Sequence, residues 1–407
     1  MQRIRELDGL RAIAILGVLL AHFTHGHGAF ANLMYLGWSG VDLFFAISGF
    51  LITSILIGLR EHEAPFKTFY WRRTLRIFPA YYLSLSLILI LASVHHERID
   101  FVATLRYWLF LSSARLGLIR LAFSRLLLHS PVASLAYSRI TAYSILGFKD
   151  CLGIYWSLSV EELFYLIWAP VILKGSRKIV LFCSIAPFLL CPLLRALVHT
   201  TPHIDEMAGF VFRFDSLAAG GCVALLFWAR EKGHLKVRLV DRCLILTIVL
   251  SSLALLLLSV SCGVFKGADV RTTMGFSVFG YSLLGVFCAS VVGACARWSG
   301  NLPLISRILR SGVAVYLGTV SYTIYLIHLP VYVFVQLMIH RSLGHYVIVG
   351  AGSFSVLSAI LSVGCTVALA ALSWRYFETP ILRLREKRFS MRKPLRAAGP
   401  TAQAAAI

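Results

Sequence analysis

The chain has 407 residues, of which 58% are hydrophobic and 14% are charged, and its formal net charge is +21. A soluble globular protein carries about 25% charged residues, so this composition excludes an ordinary soluble enzyme of two or three domains. The basic residues fall between long apolar runs and not on one soluble face. This pattern argues against nucleic-acid binding and favours basic loops on one side of a membrane.

The first apolar run follows the charged N-terminal residues 2–11. It looks like a signal peptide, but polar residues stand where a small-residue cleavage site is needed, at His22, Thr24, His25 and His27. We therefore expect this segment to be retained as a membrane helix. The same histidines lack a second set of ligands, so we expect no metal site.

Runs of about twenty apolar residues, the length that crosses a bilayer, recur along the chain. Placing every basic loop on the cytoplasmic side gives alternating spans and puts both termini in the cytoplasm. The predicted fold is therefore an all-α polytopic bundle of transmembrane helices. Its ten predicted spans are 10–28, 39–58, 77–94, 154–173, 179–198, 210–229, 243–262, 275–296, 313–339 and 347–372.

Residues 95–150 fit this alternation less simply, because several arginines interrupt their apolar stretches. Parity requires either no crossing or two, so a short hairpin and helices lying at the membrane interface both remain open. The sequence shows no internal repeat and no soluble domain. Residues 1–380 are predicted to form one membrane domain, and 381–407 a disordered tail that is basic and then rich in Ala.

Ionisable residues inside membrane spans are costly, so each of them is a candidate for function. Arg11 and His22 share one predicted helix and lie about 16 Å apart along its axis, which carries His22 towards the middle or far side of the membrane. A neutral imidazole at that depth can accept a proton from a hydroxyl group. The structural alternative is a histidine that only hydrogen-bonds a neighbour in its helix.

Three further positions carry comparable chemistry. Asp42 stands at the outer start of the second span, and Glu161 shares a helix face with Tyr165. Arg73 and Arg76 also share a face and form a pair of guanidinium groups suited to phosphates. The structural alternatives are solvated interfacial carboxylates and arginines that only anchor the cytoplasmic end of a helix.

Two other polar positions have mainly structural interpretations. Arg213 and Asp215 lie near the start of one span and predict a local ion pair. His328 precedes Pro330 and is predicted to be a hydrogen-bonded core residue ahead of a helix kink.

Short motifs follow one another in a fixed order along the chain. They are Leu7-Asp8-Gly9-Leu10-Arg11 with His22, Gly40-Val41-Asp42-Leu43-Phe44-Phe45 with Ser48-Gly49-Phe50-Leu51, Arg73 with Arg76 and Pro79, Trp156-Ser157-Leu158 with Glu161, Phe212-Arg213-Phe214-Asp215-Ser216, Ser321-Tyr322 with Pro330, and Glu378-Thr379-Pro380. Any one motif is weak, whereas the ordered series from residue 5 to residue 380 is specific. Taken together, these segments resemble the acyltransferase-3 family of bacterial membrane O-acyltransferases. Leu163 stands where the family often has Gln, so no role is carried over to that side chain.

The resemblance implies a multi-pass enzyme of the bacterial inner membrane that moves an acetyl group from cytoplasmic acetyl-CoA to a glycan or glycolipid hydroxyl. It implies that Arg11 and His22 are essential and that Arg73 and Arg76 serve the donor. His22 would act as a general base or as a transient acyl acceptor, with Glu161 or Asp42 orienting its ring.

The chain shows no hydrolase-like domain of the kind that some relatives append outside the membrane. We therefore expect it to complete the transfer alone or to hand the acyl group to a partner in polysaccharide biosynthesis. The alternatives from other classes are a transporter or flippase of polysaccharide export, and a non-catalytic membrane partner in such a complex.

Overall fold

The computed structural model describes residues 3–23, 36–112, 147–198, 212–263, 273–343 and 351–383. Over these ranges the chain is helical and has no β-strand. The predicted tail after residue 383, and His25 and His27, lie outside the described residues. The α-helices are α1 (Arg5–Phe23), α2 (Gly40–Leu59), α3 (Pro65–Val94), α4 (Phe101–Trp108), α5 (Trp156–Lys174), α6 (Arg177–Val198), α7 (Phe214–Glu231), α8 (Val237–Ser261), α9 (Tyr281–Arg297), α10 (Pro303–Leu309), α11 (Gly312–Leu343) and α12 (Ala351–Ser373).

Shorter helical turns adjoin several of these helices. Two are 3₁₀ turns, Leu36–Ser39 before α2 and Phe148–Tyr155 before α5. Two are π-helical turns, Phe276–Gly280 before α9 and Trp374–Glu378 after α12.

Eight helices in the described part of the chain are long and apolar enough to cross a membrane. Two other predicted spans, 10–28 and 210–229, correspond to α1 and α7. These two helices are short and carry charged residues, four near the start of α1 and three in α7. Their composition alone therefore does not mark them as spans. The prediction of an all-α polytopic bundle is confirmed.

The centre of the bundle is built on close helix crossings. Helix α1 packs along α11, and α2 packs along α7. At both crossings a glycine meets the partner's backbone: Gly318 lies against the carbonyl group of Asp8, and Gly49 against that of Leu217. A Cβ at either position would overlap that carbonyl, and small residues of this kind let membrane helices approach closely.

Helix α3 begins earlier than predicted. The predicted span started at residue 77, whereas the helix starts at Pro65, a residue favoured in the first turn of a helix. Arg73 and Arg76 therefore lie about 12 Å and 16 Å along the helix from its start. Both arginines therefore belong to the helix itself and not to the loop before it.

The region after α3 folds back into the bundle. The Tyr81 and Tyr82 hydroxyl groups, midway along α3, donate hydrogen bonds to the carbonyl groups of Tyr107 and Trp108 at the end of α4, at 2.7 Å and 3.0 Å. Further on, the Ser112 hydroxyl group lies 2.5 Å from that of Ser159 in α5. Residues 113–146 are outside the described part of the chain, so the number of crossings there stays a prediction.

Hydrogen bonds join two pairs of basic segments at the ends of the helices. Arg60 donates hydrogen bonds to the carbonyl groups of Ile172 and Gly175, which joins the loop after α2 to the end of α5. Glu6 accepts hydrogen bonds from Ser299 and from the Gly300 amide, which joins the start of α1 to the loop after α9. Each pair of loops therefore lies at one end of the bundle, the arrangement that the predicted alternation of spans requires.

Candidate active site

Four of the six predicted site residues meet at one cavity inside the bundle: Arg11, Arg73, Arg76 and Glu161. The cavity holds about 690 Å³ of space with its opening included, which is within the range of about 300–1,000 Å³ typical of small-molecule sites. Helices α1, α2, α3, α5 and α11 supply its walls. Its other lining residues are Val41, Phe44, Phe45, Ser48, Ile77, Ser157, Leu158, Ser321, Tyr322 and Tyr325.

Arg73 is held in the cavity wall by Glu161 and Tyr165. Its Nη2 lies 3.8 Å from Oε2 of Glu161, and its guanidinium carbon lies 4.1 Å from the centre of the Tyr165 ring. The Tyr165 hydroxyl group donates to the same carboxylate at 2.7 Å, as expected for two residues on one helix face. Ser48 donates to the other carboxylate oxygen at 3.0 Å. The contacts that Glu161 makes therefore fix the position of Arg73.

Arg11 reaches the cavity from α1. Its Nη1 donates to Oδ1 of Asp8, three residues earlier, at 3.0 Å, and the other Asp8 oxygen accepts from Arg3 at 2.7 Å. Three guanidinium groups and one carboxylate therefore line the cavity. Guanidinium groups outnumber carboxylates among the lining residues, which favours an anionic ligand.

His22 lies three helical turns beyond Arg11 in α1, beside a second histidine. Its Nδ1 is 2.8 Å from the carbonyl oxygen of Val18, and its ring centre is 5.0 Å from that of His328, with the ring planes tilted by 59°. His328 is fully buried and places its own Nδ1 2.7 Å from the carbonyl oxygen of Tyr325. Tyr325 lines the cavity, so His328 lies one helical turn away from a residue of the cavity wall.

Asp42 lies in a separate buried cluster. It forms an ion pair with Arg213 and accepts a hydrogen bond from the Ser216 hydroxyl group at 3.0 Å. The predicted local pair of Arg213 with Asp215 is therefore wrong. Arg213 precedes the first residue of α7, so helix spacing does not set its partner, and Asp215 instead binds Arg195, at 2.9 Å.

Arg195 is not among the residues predicted from the sequence, although it is central to this cluster. It is completely buried and donates to the carbonyl groups of Phe212 and Val278, to Asp215 and to the Ser282 hydroxyl group. The π-helical turn before α9 presents the Val278 carbonyl. An arginine inside the apolar run 177–198 was the available signal, since charges in membrane spans are rare and usually paired.

The orientation of His22 also differs from the expectation. Glu161 makes its hydrogen bonds with Ser48 and Tyr165, and Asp42 binds Arg213 and Ser216. The ring of His22 is instead oriented by a carbonyl group of its own helix and by contact with His328.

The helical bundle, with a cationic cavity enclosed among its apolar helices, defines a polytopic membrane protein with an internal site suited to an anionic ligand. The family model described as an acyltransferase domain matches residues 4–375. The chain therefore belongs to the acyltransferase-3 family. The resemblance seen in the sequence motifs is confirmed.

Several curated bacterial proteins are similar to the chain over most of its length. A peptidoglycan O-acetyltransferase, OatA, of Listeria monocytogenes is 26% identical over 92% of the chain. A putative O-acetyltransferase, SACOL0978, of Staphylococcus aureus is 28% identical over 93%. A putative peptidoglycan O-acetyltransferase, YrhL, of Bacillus subtilis is 28% identical over 95%.

The chain spans a little more than half the length of these relatives: the aligned regions cover 55%, 57% and 56% of the Listeria, Staphylococcus and Bacillus proteins. No solved structure shows a significant match to it.

Proposed function

We propose that this protein is a membrane O-acetyltransferase that moves an acetyl group from acetyl-CoA to a hydroxyl group of a glycan or glycolipid. The donor binds from the cytoplasmic side of the bacterial inner membrane, and the acceptor lies on the far side. The observation that carries the proposal is the meeting of Arg11, Arg73 and Arg76 in one cavity of a chain that belongs to an acyltransferase family.

The cavity suits the chemistry of acetyl-CoA. The donor carries its negative charges on phosphate groups at one end and its thioester at the other. Guanidinium groups bind phosphates through charge-assisted, often bidentate hydrogen bonds, and three of them line this cavity. Glu161 contributes by holding Arg73, and the phosphates of a bound donor would compete with Glu161 for that arginine.

We assign His22 to the activation of the acceptor hydroxyl group. With its Nδ1 proton directed to the Val18 carbonyl, its Nε2 carries the lone pair. That nitrogen removes the proton of the attacking hydroxyl group, or it accepts the acetyl group first and passes it on. Asp42 takes no part in either scheme, because its buried contacts are with Arg213 and Ser216.

The acceptor class follows from the relatives. Two of them are named as peptidoglycan O-acetyltransferases, one of these as putative, so peptidoglycan oligosaccharides are the first acceptor to supply. Partners of polysaccharide biosynthesis would present the acceptor or receive the acetyl group.

The test uses sealed membrane vesicles of both orientations, with acetyl-CoA labelled in the acetyl group. Acetyl-CoA does not cross a sealed bilayer, so the side of supply is controlled. We expect label in the glycan only when the donor faces the cytoplasmic surface, and none in vesicles that lack the protein. A transporter would leave the glycan unlabelled, and labelling from the opposite face would contradict the assigned sidedness.

A further inference from the structure

The contact between His22 and His328 has a use in acyl transfer that neither histidine has alone. Both rings direct Nδ1 to a carbonyl group of their own helix, Val18 for one and Tyr325 for the other. The hydrogen bond at one ring nitrogen sets which nitrogen carries the proton, so Nε2 is the basic nitrogen in both rings.

The second observation concerns the Nε2 atom of His328. It is buried and, within the described part of the chain, has no hydrogen-bond partner. Buried polar atoms are nearly always paired, so an unpaired one in a native structure calls for an explanation. Packing alone does not require it, since an apolar side chain of similar volume would fill the space without an unsatisfied nitrogen.

We propose that His328 acts through His22 as a proton relay between the acceptor hydroxyl group and the donor cavity. This inference rests on the proposed function and adds a proton-relay residue to it. The ring centres are 5.0 Å apart. Since Nε2 of His328 has no hydrogen-bond partner in the described part of the chain, the proton would pass between the rings through one bridging water molecule. Tyr325, one turn before His328, lines the cavity in which the donor lies.

The relay delivers the proton of the acceptor hydroxyl group to the sulfur atom that leaves. The acceptor oxygen attacks the thioester carbonyl, its O–H bond breaks, and Nε2 of His22 takes the proton. The carbon–sulfur bond breaks and the sulfur leaves as a thiolate. The proton passes from His22 to Nε2 of His328 and then to the thiolate, so that a thiol leaves and both imidazoles end neutral.

The exposures of the two rings fit this order. His22 is partly exposed at the end of α1, whereas His328 is fully buried between His22 and Tyr325. A hydroxyl group arriving from outside the bundle therefore meets His22 first, and the donor cavity is on the side of His328.

The experiment compares His328→Gln with wild type, as full-length protein in nanodiscs, using acetyl-CoA and peptidoglycan oligosaccharides. Glutamine can keep a hydrogen bond to the Tyr325 carbonyl but cannot relay a proton. We expect kcat to fall by about 10²-fold while the KM for acetyl-CoA is unchanged. His234→Gln, a change of the same kind in the loop after α7, should leave both constants unchanged.

A second variant separates proton relay from packing. His328→Ala should be rescued by added imidazole but not by 1,2,4-triazole, which has nearly the same size and is a far weaker base. Full activity of His328→Gln, or equal rescue by the two azoles, would overturn the relay while leaving the proposed function standing. Wild-type protein that transfers no acetyl group would overturn both.

Discussion

Removing Arg73 should damage donor binding and folding by two separable routes. The Arg73→Ala substitution deletes one of three cationic groups in the cavity. It also removes the cation beside the Glu161 carboxylate, whose hydrogen-bond donors in the described part of the chain are the Ser48 and Tyr165 hydroxyl groups. Combining it with Glu161→Gln removes the uncompensated charge. The glutamine amide keeps an oxygen that accepts from one hydroxyl group and offers an N–H to the oxygen of the other.

The two effects have different sizes. A charge-assisted hydrogen bond to a phosphate contributes about 1.5–3 kcal/mol, so the Kd for acetyl-CoA should rise by about 10- to 100-fold. Breaking a buried ion pair by removing one partner costs about 3–5 kcal/mol. The nitrogen–oxygen distance of the Arg73–Glu161 pair is long, at 3.8 Å, and the two side chains are 21% and 14% exposed. The free energy of unfolding should therefore fall by about 3 kcal/mol or less.

The assay measures acetyl-CoA binding and the midpoint of thermal unfolding on the same purified protein. The double variant should recover most of the stability lost in Arg73→Ala but none of the affinity. Arg72→Ala is the matched control, because this neighbouring arginine is exposed and does not line the cavity. Wild-type affinity in the double variant would refute the assignment of Arg73 to the donor and return it to a purely structural role.

Three further predictions follow from the packing and the charge distribution. Arg195→Leu should leave the Asp215 carboxylate buried without its cation and destabilise the protein by about 3–5 kcal/mol, seen as a large fall in the unfolding midpoint; an unchanged midpoint would contradict the buried pair. Gly318→Leu should cost about 1–3 kcal/mol or more by forcing α1 away from α11, and a wild-type yield of folded protein would argue against that crossing. Reporter fusions after Lys236 and after Lys387 should both read cytoplasmic, and an external signal at either would overturn the assignment of sides.

Local patterns in the sequence were the dependable guides to the site. The four-residue spacing of Glu161 and Tyr165 predicts a shared helix face, and the two side chains do hydrogen-bond. The three-residue spacing of Arg73 and Arg76 likewise predicts a common face, and both line the cavity. Such pairings depend only on the geometry of one helix, so they survive whatever the rest of the bundle does.

The sequence did not predict which side chains of different helices pair with each other. Asp215 is the nearest carboxylate to Arg213 along the chain, yet Arg213 binds Asp42, from a helix far away in sequence. The meeting of His22 with His328 is of the same kind, since it depends on how α1 crosses α11. Crossing geometry is set by small residues such as Gly318, whose role appears only once the two backbones are seen together.

The most direct test of the central claim is acetyl transfer by the His22→Gln variant. Glutamine can donate a hydrogen bond to the Val18 carbonyl as the imidazole does, but it has no titratable nitrogen. The variant should be produced and inserted normally, and should bind acetyl-CoA with wild-type affinity. Acetylated glycan formed per quantity of folded protein should fall by about 10²-fold or more. Near-normal product from His22→Gln would contradict the account, because the acceptor hydroxyl group would then be activated elsewhere.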